Sequence, residues 1–332
     1  GGCADADGSS VRAQGVRVVN AAGVDSEERL RALLAKAPPD EPLLLRGAPF
    51  SQDATVFTFD KLSRDVGNVL LPRTPAAKQG ASSYRSLIFI AAQAREEKVL
   101  AAAPPPWNPD GCSLATFLRG VTEGSGHYLT TRSGKASCYR PLDKSDELIY
   151  DNAAEEDADG HDVLIKALVP RVPFPLALPR EQKFRIAFWM GAEGNNIGLH
   201  SDLFTEQFLV QHQGVKEVLL LLPDDASVVA PYPFLSSPMW FKSERRRVSN
   251  LDLRGERCLS AELHPGDILY MPLWWWHEVR TISPGPSVST TFRFHTEDAD
   301  RFSKVMNAFY HFHKHAQDRP CGRLARHIRS YF

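Results

Sequence analysis

The chain has 332 residues, with 39 Lys and Arg against 40 Asp and Glu, so its formal net charge is −1. Hydrophobic residues make up 43% and charged residues 24%, which excludes a mostly disordered, collagen-like or coiled-coil protein. The near-zero net charge argues against a surface that grips nucleic acid along its whole extent. The longest apolar runs, such as Val218 to Leu222, are far shorter than the roughly 18 residues that span a bilayer, so we expect no membrane segment.

The five cysteines stand far apart, and none belongs to a CxxC pair. This spacing forms neither a zinc knuckle nor a disulfide framework, and it favours reduced thiols. We also expect no signal peptide ahead of the fold. The sequence therefore predicts an intracellular protein, cytoplasmic or nuclear.

The N-terminal half predicts short strands and helices after a flexible leader at residues 1–15, which are small and polar. Ser113 is a suitable N-cap for one of the helices. The chain is Ala- and Pro-rich at 73–107, where Ala101 to Pro106 predicts a rigid loop, and the acidic stretch 143–162 predicts a solvated loop. The predicted elements are strands at 16–19, 42–45 and 127–129, and helices from Asp25 or Ser26, at 59–66 and from Ser113.

The C-terminal half shows short apolar runs separated by Gly and Pro turns. This pattern is typical of a β-sandwich or barrel. A last helix is predicted from Thr296, with an apolar stripe from Phe302 to Phe312. The predicted strands are residues 184–190, 206–212, 215–222, 259–263, 267–271, 277–282 and 288–294.

Metal-ligating side chains occur in the pattern His200-Ser201-Asp202 and again at His277. Side chains alternate along a strand, so a His-x-Asp pair points to one side, and a histidine on a neighbouring strand can complete three ligands. Two imidazoles and one carboxylate suit Fe(II) and leave coordination positions open. The alternative is a chance pattern whose histidines are only hydrogen-bonded.

Three consecutive indoles, Trp274-Trp275-Trp276, come directly before His277. They follow a strand that begins with the tight turn Pro265-Gly266-Asp267. The indoles either pack in the core or wall a pocket beside the metal ligand, and the residues alone leave both interpretations open.

Taken together, these segments resemble the JmjC hydroxylases, cupin-type oxygenases that use Fe(II) and 2-oxoglutarate. Within that family, they are most similar to the small hydroxylases typified by the asparaginyl hydroxylase that inhibits hypoxia-inducible factor. The segments that carry the resemblance are Gly191–Asp202, Gln211–Lys216, Pro265–His277, Pro42–Gly47, and Phe117–Leu118 followed by His127–Leu129.

The resemblance implies a mixed α/β fold that is mainly β in its core. That core is a double-stranded β-helix, the jelly roll of cupins in its JmjC form, with N-terminal helical elaboration and C-terminal helices. The implied oxygenase domain covers residues 16–296, with its metal-binding core at about 125–296. A C-terminal helical extension is expected over residues 297–332.

By the same resemblance, His200, Asp202 and His277 are the iron ligands. Lys216 and Tyr128 match the residues that contact the distal carboxylate of 2-oxoglutarate. An ammonium group inside a barrel requires an anion to neutralise it, which agrees with this role. From spacing alone, Lys216 is equally well a surface residue and Tyr128 a core aromatic.

Gln207 falls where the family often has an asparagine near the co-substrate, if one residue is inserted after Asp202. Two positions depart from the family pattern. Thr291 takes the place of a family asparagine near the metal, and Ile197 replaces a Thr or Ser that hydrogen-bonds the co-substrate. The changes at Thr291 and Ile197 keep open a metal-binding protein that has lost turnover.

The resemblance implies an Fe(II)- and 2-oxoglutarate-dependent oxygenase that uses O2 to hydroxylate a protein side chain, with succinate and CO2 as co-products. We expect a protein or peptide partner, and a homodimer formed through the C-terminal helix. The alternatives are a hydroxylase of a small molecule or a tRNA base, and an inactive binding protein of JmjC fold.

Overall fold

Two β-sheets pack face to face and carry most of the described structure. The computed structural model describes residues 3–4, 10–11, 14–34, 41–71, 88–90, 112–124, 127–132, 137–139, 149–151, 161–202, 205–223 and 258–294. No helix in these ranges is long and apolar enough to cross a membrane.

The strands and helices are short and joined by turns. The strands are β1 Cys3–Ala4, β2 Ser10–Val11, β3 Gln14–Gly15, β4 Arg17–Asn20, β5 Leu43–Arg46, β6 Ile88–Ile90, β7 His127–Arg132, β8 Ser137–Tyr139, β9 Ile149–Asp151, β10 Arg185–Ala192, β11 Asn196–Ser201, β12 Glu206–Gln213, β13 Lys216–Leu221, β14 Cys258–Leu263, β15 Ile268–Met271, β16 Trp276–Thr281 and β17 Pro286–Phe294. The helices are α1 Glu27–Leu34, α2 Phe59–Val66, α3 Leu114–Thr122 and α4 His161–Leu168, with 3-10 turns at Ala54–Val56 and Val169–Arg171.

The larger sheet has the order β4-β5-β15-β12-β17-β10-β7-β6 among the described residues. The smaller sheet has the order β11-β16-β13-β14-β3. Strands that are distant in the chain are neighbours in both sheets, as in a double-stranded β-helix. The fold predicted from the sequence is therefore confirmed.

The core has two parts because each strand of the larger sheet presents alternate side chains to opposite faces. Ile186 and Phe188 of β10 pack on the outer face, in a cluster that includes helical residues such as Leu62 and Phe117. Leu209 of β12 points the other way and packs between the sheets with residues such as Val218. The second face is the one that encloses the cavity described below.

The helix predictions that fall on described residues agree closely with the structure. Helix α2 spans the predicted residues 59–66, and the Thr58 side chain accepts a hydrogen bond from the Lys61 N–H. Helix α3 is capped by Ser113, which accepts from the Thr116 N–H. Such caps satisfy N–H groups that have no partner within the helix.

Several short elements were not predicted. Ile149–Asp151 pairs with Ser137–Tyr139, so the acidic stretch predicted as a loop contains a strand. Ile88–Ile90 likewise forms a strand within the Ala- and Pro-rich stretch, paired with β7. Helix α4 and strand β11 were missed altogether. The short strands form because they pair with other strands, and local composition does not indicate such pairing.

The predicted domain limits stay predictions. Within the expected leader, β1 pairs with β2, and β3 pairs in parallel with β14. The C-terminal extension at 297–332, with its predicted helix and homodimer contact, lies outside the described residues.

Candidate active site

The three predicted metal ligands converge. One ligand atom from each of His200, Asp202 and His277 lies within 4.8 Å of the other two. His200 on β11 and His277 on β16 are directly paired across the smaller sheet, and Asp202 follows the end of β11. Two imidazoles and a carboxylate at this spacing fit a divalent transition metal such as Fe(II).

A β-bulge brings His200 to the cavity face. Ile197 pairs with Val279 and His200 pairs with His277, so β11 has one more residue than β16 between these pairs. In a regular strand, residues three apart point to opposite faces. The extra residue turns His200 to the same face as Ile197. Both side chains therefore line the same cavity as their partners His277 and Val279.

The backbone fixes the ring orientation of His277. Its Nδ1 atom lies 3.1 Å from the Trp275 carbonyl oxygen, which can only accept a hydrogen bond. Nδ1 therefore carries the proton, and Nε2 presents a lone pair to the site. Burial lowers the pKa of His277, which keeps the ring neutral and available to a metal.

Asp202 is held ionised by its neighbours. Burial alone would raise its pKa, but the Arg293 guanidinium, with help from the Gln207 amide, holds the pKa of this carboxyl well below its usual range. Its Oδ2 atom lies 3.0 Å from Arg293 Nη2 and accepts a hydrogen bond of 2.7 Å from Gln207 Nε2. The ligand is therefore a carboxylate at all physiological pH values.

A cavity that opens to solvent lies beside the three ligands, between the two sheets, and its empty space, including the open part, is about 320 Å³. Its wall combines apolar side chains with polar groups on both sheets. The lining residues are Tyr128, Trp189, Ile197, His200, Gln207, Leu209, Lys216, Met271, His277, Val279, Thr291 and Arg293.

Lys216 reaches from the smaller sheet into this cavity and is only 1% exposed, so it is not a surface residue. Its Nζ donates to Tyr128 Oη at 3.2 Å and to Ser289 Oγ at 2.6 Å. Burial without a described carboxylate partner lowers the pKa of Lys216 to about 7. A bound anion would restore its charged form.

Tyr128 completes this polar end of the cavity. Its ring stacks on that of Trp189, with 6.2 Å between centroids. Burial raises the pKa of its hydroxyl, so the phenol stays protonated and retains an O–H donor. Lys216, Tyr128 and Ser289 together offer an ammonium and two hydroxyl groups.

Gln207 and Thr291 line the cavity, but their polar groups have protein partners. Gln207 Oε1 accepts from Arg293 Nε at 3.1 Å, while its Nε2 donates to Asp202. Thr291 Oγ1 accepts from Trp189 Nε1 at 3.2 Å. Contacts of these two residues with a co-substrate stay predictions.

Two of the three tryptophans in the run are buried, and none of the three lines the cavity. Trp275 is buried among residues between the sheets, and Trp276 is also buried. The indole in the cavity wall is Trp189 instead, which sequence reasoning missed.

Sequence reasoning also missed Ser289 and Arg293. Both lie two residues from Thr291 on β17, so period-two alternation would have put all three on one face. The alternation along β17 can be seen in the sequence, but the residues that Ser289 and Arg293 contact across the cavity cannot.

A double-stranded β-helix with two histidines and an aspartate converging in its cavity defines a cupin-type metal-site protein. The profile of the cupin-like domain family matches residues 114–315. The chain belongs to this cupin-like family, whose JmjC members are often oxygenases.

Curated relatives match a part of the chain. JmjC domain-containing protein D of Dictyostelium discoideum is 30% identical over 115 residues, 33% of this chain and 25% of that protein. The tRNA wybutosine-synthesizing protein 5 of Mus musculus is 31% identical over 114 residues, 32% of this chain and 34% of its own length. The HSPB1-associated protein 1 homolog of Danio rerio is 27% identical over 124 residues, 36% of this chain and 28% of its own. The chain thus spans a quarter to a third of the length of these relatives.

Proposed function

We propose that this protein is an Fe(II)- and 2-oxoglutarate-dependent oxygenase that hydroxylates a protein side chain. The observation that carries the proposal is the presence of Lys216 in the cavity lined by His200 and His277, whose ring nitrogens converge with the Asp202 carboxylate. A buried ammonium beside a metal-binding group is what an anionic co-substrate that also binds the metal requires.

The chemistry balances with three reactants. When bound, iron would allow O2 to act as the oxidant: one oxygen atom would enter a substrate C–H bond as C–OH, and the other would enter 2-oxoglutarate, which would be oxidised and decarboxylated to succinate and CO2. The protein positions the reactants and excludes water, and needs no acid–base pair.

The side chains divide this work by position. His200, Asp202 and His277 would hold the metal. Lys216 and Tyr128, with Ser289 beside them, would bind the distal carboxylate of the co-substrate through charge-assisted hydrogen bonds. The apolar side chains of the cavity wall would keep water from the reacting atoms, and these are Ile197, Leu209, Met271 and Val279.

The protein side chain as substrate rests on the resemblance to small JmjC hydroxylases such as the asparaginyl hydroxylase of hypoxia-inducible factor. A second candidate, hydroxylation of a tRNA base, is favoured by the match to a relative named for tRNA wybutosine synthesis.

We also propose that the protein is an intracellular homodimer. A monomer mass in light scattering would contradict the dimer.

The first experiment is an anaerobic titration of the full chain with Fe(II) and 2-oxoglutarate. We expect the visible metal-to-ligand charge-transfer band of a chelated 2-oxo acid. His200→Ala should abolish the band, and Lys216→Met should weaken it, because one loses a metal ligand and the other the carboxylate partner. Lys61→Met is the matched control, since Lys61 pairs with Asp65 on helix α2.

Metal binding without such a band would contradict the proposal and favour the inactive binding protein, with Ile197 and Thr291 as the meaningful departures. If the band forms, peptides and tRNA are screened for succinate release and for an added oxygen atom by mass spectrometry. Product from tRNA alone would replace the protein side chain as substrate.

A further inference from the structure

The two oxygens of the Asp202 carboxylate have different surroundings. Oδ2 receives hydrogen bonds from Gln207 and lies in an ion pair with Arg293. No donor among the described residues has a hydrogen bond to Oδ1, which faces His200 with 4.0 Å to its Nε2. Oδ2 also borders His277, with 3.6 Å to its Nε2. The carboxylate is therefore anchored through one oxygen only.

Arg293 is itself fixed in place. Its backbone pairs with that of Gln207 across strands β17 and β12, and its Nε donates to the Gln207 side chain. The guanidinium carbon lies 5.8 Å from the centre of a Trp189 ring. The Arg293 side chain is 14% exposed, so solvent competes little for these contacts. A planar guanidinium held at this many points has one preferred orientation.

We propose that Arg293 is a positioning residue that engages Oδ2 of Asp202, so that this carboxylate binds the metal through Oδ1 alone. The inference rests on the metal site of the proposed function. A carboxylate that chelated through both oxygens would occupy an additional coordination position. Monodentate binding leaves that position to the co-substrate and O2.

A simpler role for Arg293 makes an opposite prediction. If the guanidinium only neutralised Asp202, it would repel a divalent cation, and its removal would tighten metal binding without changing the metal geometry. If Arg293 positions the carboxylate, its removal leaves Oδ2 held by Gln207 alone and freer to reach the metal, and the ligand field changes. Metal geometry therefore separates the two roles better than affinity does.

The test uses Co(II) as a spectroscopic metal in the full chain. We expect Arg293→Met to shift the visible ligand-field bands of bound Co(II), and to reduce hydroxylation with Fe(II) about 10- to 100-fold, as for other residues that orient metal ligands. Arg293→Lys keeps the charge without the planar fork, and it should give an intermediate spectrum.

Arg280→Met is the matched control, because Arg280 on β16 pairs with Glu217 and is absent from the cavity lining. It should leave the Co(II) spectrum unchanged. A native spectrum in Arg293→Met, with equal or tighter Co(II) binding, would overturn the positioning role and leave the proposed function intact.

Absence of any Co(II) spectrum in the native protein would instead overturn both proposals. Circular dichroism of the metal-free variants checks folding. If Arg293→Met does not fold, the comparison of Arg293→Lys with the native protein decides, and an unchanged spectrum there contradicts the proposal.

Discussion

The protonation state of a single residue, Lys216, makes co-substrate binding depend on pH. Burial lowers its pKa from 10.5 to about 7, so the metal-free, anion-free protein loses this charge above about pH 7. A dicarboxylate needs the ammonium form, and its binding must then be accompanied by proton uptake. We expect the Kd for 2-oxoglutarate to rise by up to about tenfold for each pH unit above about 7.

Isothermal titration calorimetry in buffers of different ionisation enthalpy measures both the Kd and the protons taken up. In Lys216→Met the affinity should be low and nearly independent of pH between 7 and 9, because the ammonium group that takes up the proton is gone. A constant Kd for the native protein across this range would show that Lys216 stays charged without an anion.

The turn that connects β10 of the larger sheet with β11 of the smaller sheet supports the polar end of the cavity. A Cβ atom at Gly191 would overlap Asn195 Oδ1 and Tyr128 Cδ2. Tyr128 would have to move away, and its hydroxyl would lose its place beside Lys216.

We therefore expect Gly191→Ala to destabilise the fold by about 1–3 kcal/mol, as other overpacked sites do, and to weaken 2-oxoglutarate binding. Urea unfolding and the charge-transfer titration measure the two effects. Gly15→Ala is the control, because a Cβ there meets nothing within 4 Å. Native co-substrate affinity in Gly191→Ala would mean that Tyr128 does not bind the carboxylate.

Strands also show what the sequence can and cannot predict. The run Val288 to Phe294 reveals its strand through composition and turn signals, and alternation groups Ser289 and Arg293 with Thr291. The sequence does not say which strand lies opposite, so the contacts of Ser289 with Lys216 and of Arg293 with Asp202 were beyond prediction.

Strand β11 escaped prediction for a related reason. Its bulge puts Ile197 and His200 on one face although they are three residues apart. A search for strict alternation fails at such a position. The metal ligands were nevertheless identified, because His-x-Asp with a distant histidine is a recognisable chemical set.

Side-chain contacts in the active site connect the two sheets of the molecule. Asp202 follows a strand of the smaller sheet and pairs with Arg293 of the larger one. Farther along the same strand β17, Lys216 of the smaller sheet donates to Ser289 of the larger one. A metal and an anion would bind the folded chain only, because the unfolded chain has no preformed site for either ligand.

Ligand binding should therefore stabilise the global fold. At a free metal concentration of 100 times Kd, linkage gives about 2.7 kcal/mol of added stability, and 2-oxoglutarate adds its own contribution once the metal is bound. We expect the melting temperature in scanning fluorimetry to rise stepwise with Co(II) and then with 2-oxoglutarate. Asp202→Ala should remove both steps, whereas Asp65→Ala, which disrupts an ion pair on helix α2, should keep them. Equal shifts in both variants would mean that the metal binds elsewhere, since only Asp202 belongs to the group that joins the sheets.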